Sequence, residues 1–181
     1  MRPLILRHSL SLDGYAAAPP GGRDDLVAEH DEDEEFIAHM SALLDSAGVH
    51  AMGSRTYRDM AGFWPFQSGP EADAMNAIPK VVFSRSPIDT PWATTTVHSG
   101  DLAEEIAALK AQDGGPILAH GGVCLAQALV REDLVDEYHL LIGPFAHGGG
   151  SPLFTELTRF RLIDVRSFPR GNLAVRYARA D

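Results

Sequence analysis

Cysteine is nearly absent. Cys124 is the only one among 181 residues, so neither an intrachain disulfide nor a cysteine-based structural zinc site can form, and the chain fits a reducing compartment. Long apolar runs are missing as well. No stretch approaches the roughly 20 apolar residues of a membrane-spanning helix. The opening MRPLILRHSLSLDGY has neither the long apolar region nor the small-residue cleavage site of a secretory leader. The expectation is a cytoplasmic protein with no membrane partner. Basic runs are also absent: 15 Lys and Arg stand against 25 Asp and Glu, a formal net charge of -10, which repels nucleic acid. Much of that acidity sits in one segment, Asp24 to Glu35, so the remaining surface is less negative than the total and an anionic ligand stays open.

Several chemical signatures are missing too. The first apolar run is followed by Ser-Leu-Asp-Gly where a Rossmann fold carries G-x-G-x-x-G, and G-x-x-x-x-G-K-[ST], H-E-x-x-H and P-C-x-x-C occur nowhere. Rossmann, P-loop, zincin and zinc-deaminase readings therefore fail, and no metal site is supported.

What is present suffices for one domain, residues 1–181. A chain of this length with 45% hydrophobic residues can bury most of its unfolded surface without staples. Residues 3–10 form an apolar β-favouring run, interrupted at Ser11–Gly14 and resumed at Tyr15–Ala18. Phe36, Ile37, Met40, Leu43, Leu44 and Ala47 recur at helical spacing, with negative charge at Asp31 to Glu35 where a helix start favours it. Val49–Met52 reads as a buried strand running into a second helix, Phe63-Trp64-Pro65 as loop, and residues 71–77 as a short helix. Lys80–Phe83 and Ala93–His98 read as strands, and Asp101 as a helix cap with Glu104 completing a capping box. Ile117–Ala119 is a buried strand, Leu125, Ala126, Leu129 and Val130 mark a helix face, and Glu137–Ile142 is the next strand. This alternation predicts parallel strands joined by helices. The end differs: Arg161–Phe168 and Asn172–Ala178, separated by Pro169-Arg170-Gly171, have hairpin spacing, so the sheet is mixed.

Two places share one physical form, a buried strand ending in glycine before a helix: Met52-Gly53-Ser54-Arg55-Thr56 and Ala119-His120-Gly121-Gly122-Val123. Glycine lets a ligand approach the backbone, and the free N–H groups of a helix start attract anions, so two such turns in one sheet could grip a pyrophosphate. The plain alternative is that the glycines only permit tight turns. At a third strand end, Ser84, Arg85 and Ser86 set a guanidinium between hydroxyls, suited to a terminal phosphate or simply solvated. His120 and His147 flank glycines, near a pocket or merely structural. Asp13 sits between strand and bend, as a functional carboxylate or as an Asx turn residue.

In this order the segments resemble the dihydrofolate reductase superfamily, in particular the reductase domain of riboflavin biosynthesis and its small stand-alone bacterial relatives. The carrying residues are Ser11-Leu12-Asp13-Gly14-Tyr15, Gly53-Ser54-Arg55-Thr56-Tyr57 with Phe63-Trp64-Pro65, Lys80-Val81-Val82-Phe83-Ser84-Arg85, Gly121-Gly122, and Gly148-Gly149-Gly150-Ser151-Pro152-Leu153-Phe154. The resemblance implies an α/β three-layer sandwich with a mixed, mostly parallel central sheet, a C-terminal antiparallel hairpin, and NADPH across the strand ends. It implies that Gly53, Ser54, Arg55 and Thr56 hold the pyrophosphate region together with Gly121, Gly122, Val123, Cys124 and Leu125. Ser84 and Arg85 would hold the 2′-phosphate, and Ala16 and Ala17 the nicotinamide side. Asp13, as proton donor or anchor, and Trp64 would meet a small pterin-like or pyrimidine-like substrate. A homodimer is a further implication. The competing reading is a non-catalytic NADPH-binding redox or stress sensor, and a third is a relative whose glycines are purely structural.

Overall fold

Alternation of side chains along a strand sends odd and even residues to opposite faces, and in this chain both faces are apolar, so both must be covered. The computed structural model describes residues 1–21 and 34–180; most of the acidic run, residues 24–33, lies outside the described residues. The strands are β1 (Leu4–Leu10), β2 (Tyr15–Ala17), β3 (Val49–Gly53), β4 (Lys80–Phe83), β5 (Thr95–His98), β6 (Ile117–Ala119), β7 (Glu137–Ile142), β8 (Ser151–Pro152), β9 (Phe160–Ser167) and β10 (Leu173–Arg179). The helices are α1 (Glu34–Ser46), α2 (Ser54–Ala61), α3 (Pro70–Ala77), α4 (Leu102–Lys110) and α5 (Val123–Arg131).

Eight strands form one sheet in the order β5-β4-β3-β6-β1-β7-β10-β9. The first six are parallel; β10 runs antiparallel to β7 and pairs antiparallel with β9, as the hairpin spacing predicts. Leu4 and Leu6 face one side with Ile106 and Leu109 of α4 and Ala126 and Leu129 of α5. Ile5 faces the other with Leu44 of α1, Tyr57 of α2 and Met75 of α3. The result is the expected three-layer sandwich.

Local differences have local causes. Trp64–Phe66 closes a single 3-10 turn, with Pro65 in its first positions, where loop was expected. β5 starts at Thr95, after Thr94 adopts φ 58°. Asp101 caps α4 by accepting from the Glu104 N–H at 3.1 Å. The reciprocal contact comes from Glu105, whose Oε1 accepts from the Gly100 N–H at 3.3 Å. β2, within the run that resumes at Tyr15, pairs with β8 in a separate two-stranded sheet; β8 and this pairing are absent from the sequence reading because a two-residue strand has no period to detect.

Candidate functional site: two glycine turns beside a cavity with a cationic floor

β3 and β6 are parallel neighbours, with Ala51 opposite Ala119, so the two glycine turns at their ends lie side by side. The Gly53 N–H donates to the Gly121 carbonyl at 2.9 Å, and the His120 N–H to the Ala51 carbonyl at 2.9 Å. Space is tight where glycine stands: a Cβ on Gly122 would come 3.0 Å from Thr56 Oγ1, and one on Gly121, whose φ is +88°, 3.0 Å from the His8 ring. The Gly121–Gly122 peptide bond is cis. Gly53 and Gly122 occupy the N-cap positions of α2 and α5, and neither helix start has a side-chain cap. Ser54, Arg55 and Thr56 thus open one helix, and Val123, Cys124 and Leu125 the other, at adjacent positive dipole ends. Arg55 and Cys124 are exposed; the other four are half-buried.

Gly53 lies opposite Phe83 of β4, which places Ser84 and Arg85 on the same edge. Ser84 is secured locally: its N–H donates to the His98 carbonyl at 3.0 Å, and its hydroxyl to the Ser86 carbonyl at 2.7 Å. Arg85 is exposed, and no hydrogen bond or ion pair engages its guanidinium among the described residues.

Ala16 and Ala17 lie in β2, against β8. A Cβ on Gly150 would stand 2.1 Å from the Ala17 carbonyl oxygen, so glycine is required for the 148–150 loop to lie on this strand. Asp13 ties that loop down. Its Oδ1 accepts from the Ser11 hydroxyl at 2.6 Å and the His147 N–H at 3.0 Å, and its Oδ2 from the Gly148 N–H at 2.7 Å. The Ser11 bond, followed by the backbone bonds, holds the carboxyl at a pKa of about 2. Asp13 is therefore ionised at neutral pH. In this geometry Asp13 anchors the 147–148 loop.

Trp64 lies elsewhere, on a cavity of about 200 Å³ beneath α1 and α3. Its walls are Phe36, Ile37, Met40, Leu44, Met60, Trp64 and Met75, with Glu71 at one side and Arg7 and His120 as the remaining polar lining; Asp13 is not among its lining residues. Because His120 immediately precedes Gly121, the cavity begins where the glycine turns end. Of the two residues expected to meet substrate, Trp64 lines this cavity.

Arg7 and His120 belong to a polar row across the α1 face of the sheet. Arg7 lies opposite His139 of β7, and His139 opposite Arg176 of β10. The row continues from His120 to His50, whose Nδ1 lies 2.7 Å from His120 Nε2. Burial lowers the pKa of Arg7, His50, His120 and His139. Arg7 falls to about 10, His50 to about 4 with Lys80 adding to the effect, and His120 well below its usual range, with His50 and Arg7 contributing. The histidines are neutral at pH 7, and Arg7 remains the cation. Sequence reasoning set His120 beside a glycine turn but passed over Arg7, whose signal was a charged residue inside the apolar run 3–10. Among the described residues no group of three His, Cys, Asp or Glu could hold a metal ion, and no helix is long and apolar enough to cross a membrane.

Comparison with known proteins places this geometry in context. The family model described as the RibD C-terminal domain matches residues 2–174. The uncharacterised Bacillus subtilis (strain 168) protein YyaP is 24% identical over 185 residues, covering 97% of this chain and 94% of its own. A solved structure from Shewanella sp. PV-4, of a protein assigned to riboflavin biosynthesis, is 27% identical, covers 99% of both chains and has a TM-score of 0.75. The Thermotoga maritima diaminohydroxyphosphoribosylaminopyrimidine deaminase/5-amino-6-(5-phosphoribosylamino)uracil reductase shares the fold, with a TM-score of 0.66 at 14% identity over 99% of this chain and 57% of that one.

Proposed function

The chain belongs to the RibD C-terminal domain family, and from that premise we propose that it is an NADPH-dependent reductase of a small pterin-like or pyrimidine-like heterocycle. One observation carries the reading: two helix starts without side-chain caps lie side by side at Gly53 and Gly121-Gly122, and a cavity opens directly beside them at His120.

The residues present fit a dinucleotide phosphate. At Gly122 and Gly121 an added Cβ would crowd Thr56 and His8, so glycine keeps the backbone within reach of a ligand. The first-turn amides of α2 and α5 would hold the pyrophosphate, Arg85 the 2′-phosphate, and Ala16 and Ala17, small and next to the pinned 148–150 loop, the nicotinamide side. When bound, NADPH supplies a hydride. The protein's part is to hold the acceptor in the cavity at His120, exclude water with Phe36, Met40, Met75 and Trp64, and keep the 147–148 loop in place through Asp13.

The test is a fluorescence titration of the purified protein with NADPH and with NADH at fixed salt, followed by turnover with a panel of heterocycles. Micromolar NADPH affinity, much weaker NADH affinity and acceptor-dependent NADPH oxidation are expected. Binding of neither nucleotide overturns the reading; tight NADPH binding with no turnover on any acceptor turns it into that of a sensor.

A further inference from the structure

A buried arginine ordinarily has a carboxylate beside it, because an unpaired guanidinium removed from water is costly. Arg7 has none. Its Nε is buried without a partner, and no hydrogen bond or ion pair engages the side chain among the described residues. Burial is the sole cause of its lowered pKa. The nearby carboxylates have other partners. Glu137 accepts from Arg176 at 3.1 Å and meets His139 Nε2 at 3.0 Å. Glu71, on the cavity wall, accepts from the Ser41 hydroxyl at 2.8 Å. Beside Arg7 on the cavity stands His120, a neutral ring, and the remaining wall is apolar apart from Glu71.

We propose that Arg7, with His120 beside it, receives a carboxylate of the ligand, so that the substrate of this cavity is a compact unsaturated or aromatic acid. The class follows from three features. The planar guanidinium fork matches two carboxylate oxygens. The apolar walls of Met40, Leu44, Met75 and Trp64 suit a hydrocarbon or ring body. The volume of about 200 Å³ suits a compact ligand. Calling this acid the hydride acceptor rests on the reductase reading; the anion site itself does not.

Calorimetric titration separates the two. The probes are orotate against uracil and benzoate against benzamide, each pair differing by the carboxylate, applied to the wild-type protein without nucleotide. At least one carboxylate is expected to bind roughly tenfold more tightly than its neutral partner. Arg7→Met should erase that preference while NADPH affinity stays unchanged, and should not lower the melting temperature, because an unpaired half-buried charge is replaced by an apolar chain of similar length. Arg7→Lys keeps the charge without the fork and should lose part of the preference, which secures the test if the methionine variant does not fold. Equal binding within both pairs, or a preference that survives Arg7→Met and Arg7→Lys, overturns the proposal. Carboxylate binding in a protein that binds neither NADPH nor NADH upholds the anion site and overturns the reductase reading alone.

Discussion

His50 Nδ1 and His120 Nε2 stand 2.7 Å apart, one hydrogen bond joining the middle of β3 to the end of β6 directly beneath the glycine turns. Both rings are held neutral, chiefly by burial. The pair thus couples the position of His120 on the cavity floor to the core of the sheet.

That pairing predicts a pH dependence of stability. The ordinary histidine value is 6.5 and His50 is held at about 4 when folded, so between those values the unfolded chain binds protons that the folded chain does not. Stability should therefore fall as pH drops from about 6.5 toward about 4, by on the order of 2 kcal/mol from His50 alone between pH 7 and pH 5, with His120 adding in the same direction. Urea denaturation at the two pH values measures it. His50→Asn should flatten the slope, and an unchanged slope would remove the pair as its source.

Asp13 should act through the loop it holds. Asp13→Asn is expected to speed exchange of the His147 and Gly148 amide protons roughly tenfold, since one carboxylate oxygen becomes an amide nitrogen that cannot accept and the remaining oxygen is uncharged. It should impair turnover more than NADPH binding. In the wild type the ionised form supports the loop above the ordinary carboxyl value of 3.8, and that support is lost as pH falls through about 2. Amide exchange followed by NMR reads both. Unaltered exchange in the variant would contradict the anchoring role.

Arg85 is the exposed cation nearest the end of β4. Arg85→Ala should weaken NADPH by roughly tenfold or more while changing NADH by less than about twofold. Parallel titrations decide it, and an unchanged ratio of the two affinities removes Arg85 from the 2′-phosphate.

The Tyr57 hydroxyl accepts from the Trp92 N–H at 3.1 Å inside the core, fastening α2 to the segment between β4 and β5. Tyr57→Phe leaves that buried N–H without an acceptor and should cost about 1 to 3 kcal/mol in chemical denaturation. Loss of less than about half a kilocalorie would mean that the segment re-pairs elsewhere.

Most elements were legible because their signals are local. Alternation at Leu173, Val175 and Tyr177 marks β10, and the glycines at 114 and 115 end the α4 region before β6. The 3.6-residue spacing of Phe36, Met40, Leu43 and Leu44 marks α1, with Ile37 on the same helix remaining at the cavity rim, 37% exposed. The β2–β8 pair was not legible, since Tyr15 and Pro152 meet across 137 residues of sequence in strands too short to show a period. Glu105 taking the place expected for Glu104 likewise depends on how α4 turns against Gly100 and His98.

The sequence by itself determined which residue types stand at the ends of the strands: the glycines at 53, 121 and 122, the serine and arginine at 84 and 85, and the aspartate at 13. It could do so because turn chemistry and periodicity are properties of neighbours along the chain. Only the tertiary structure decided which of these ends meet. Inserting β6 between β3 and β1 sets the two glycine turns side by side, joins His120 to His50, and puts Arg7 beside His120 on one cavity wall. The same folding ties Asp13 to the 147–148 loop. Strand order is a long-range property, set by which apolar faces can be buried together, and no local pattern encodes it.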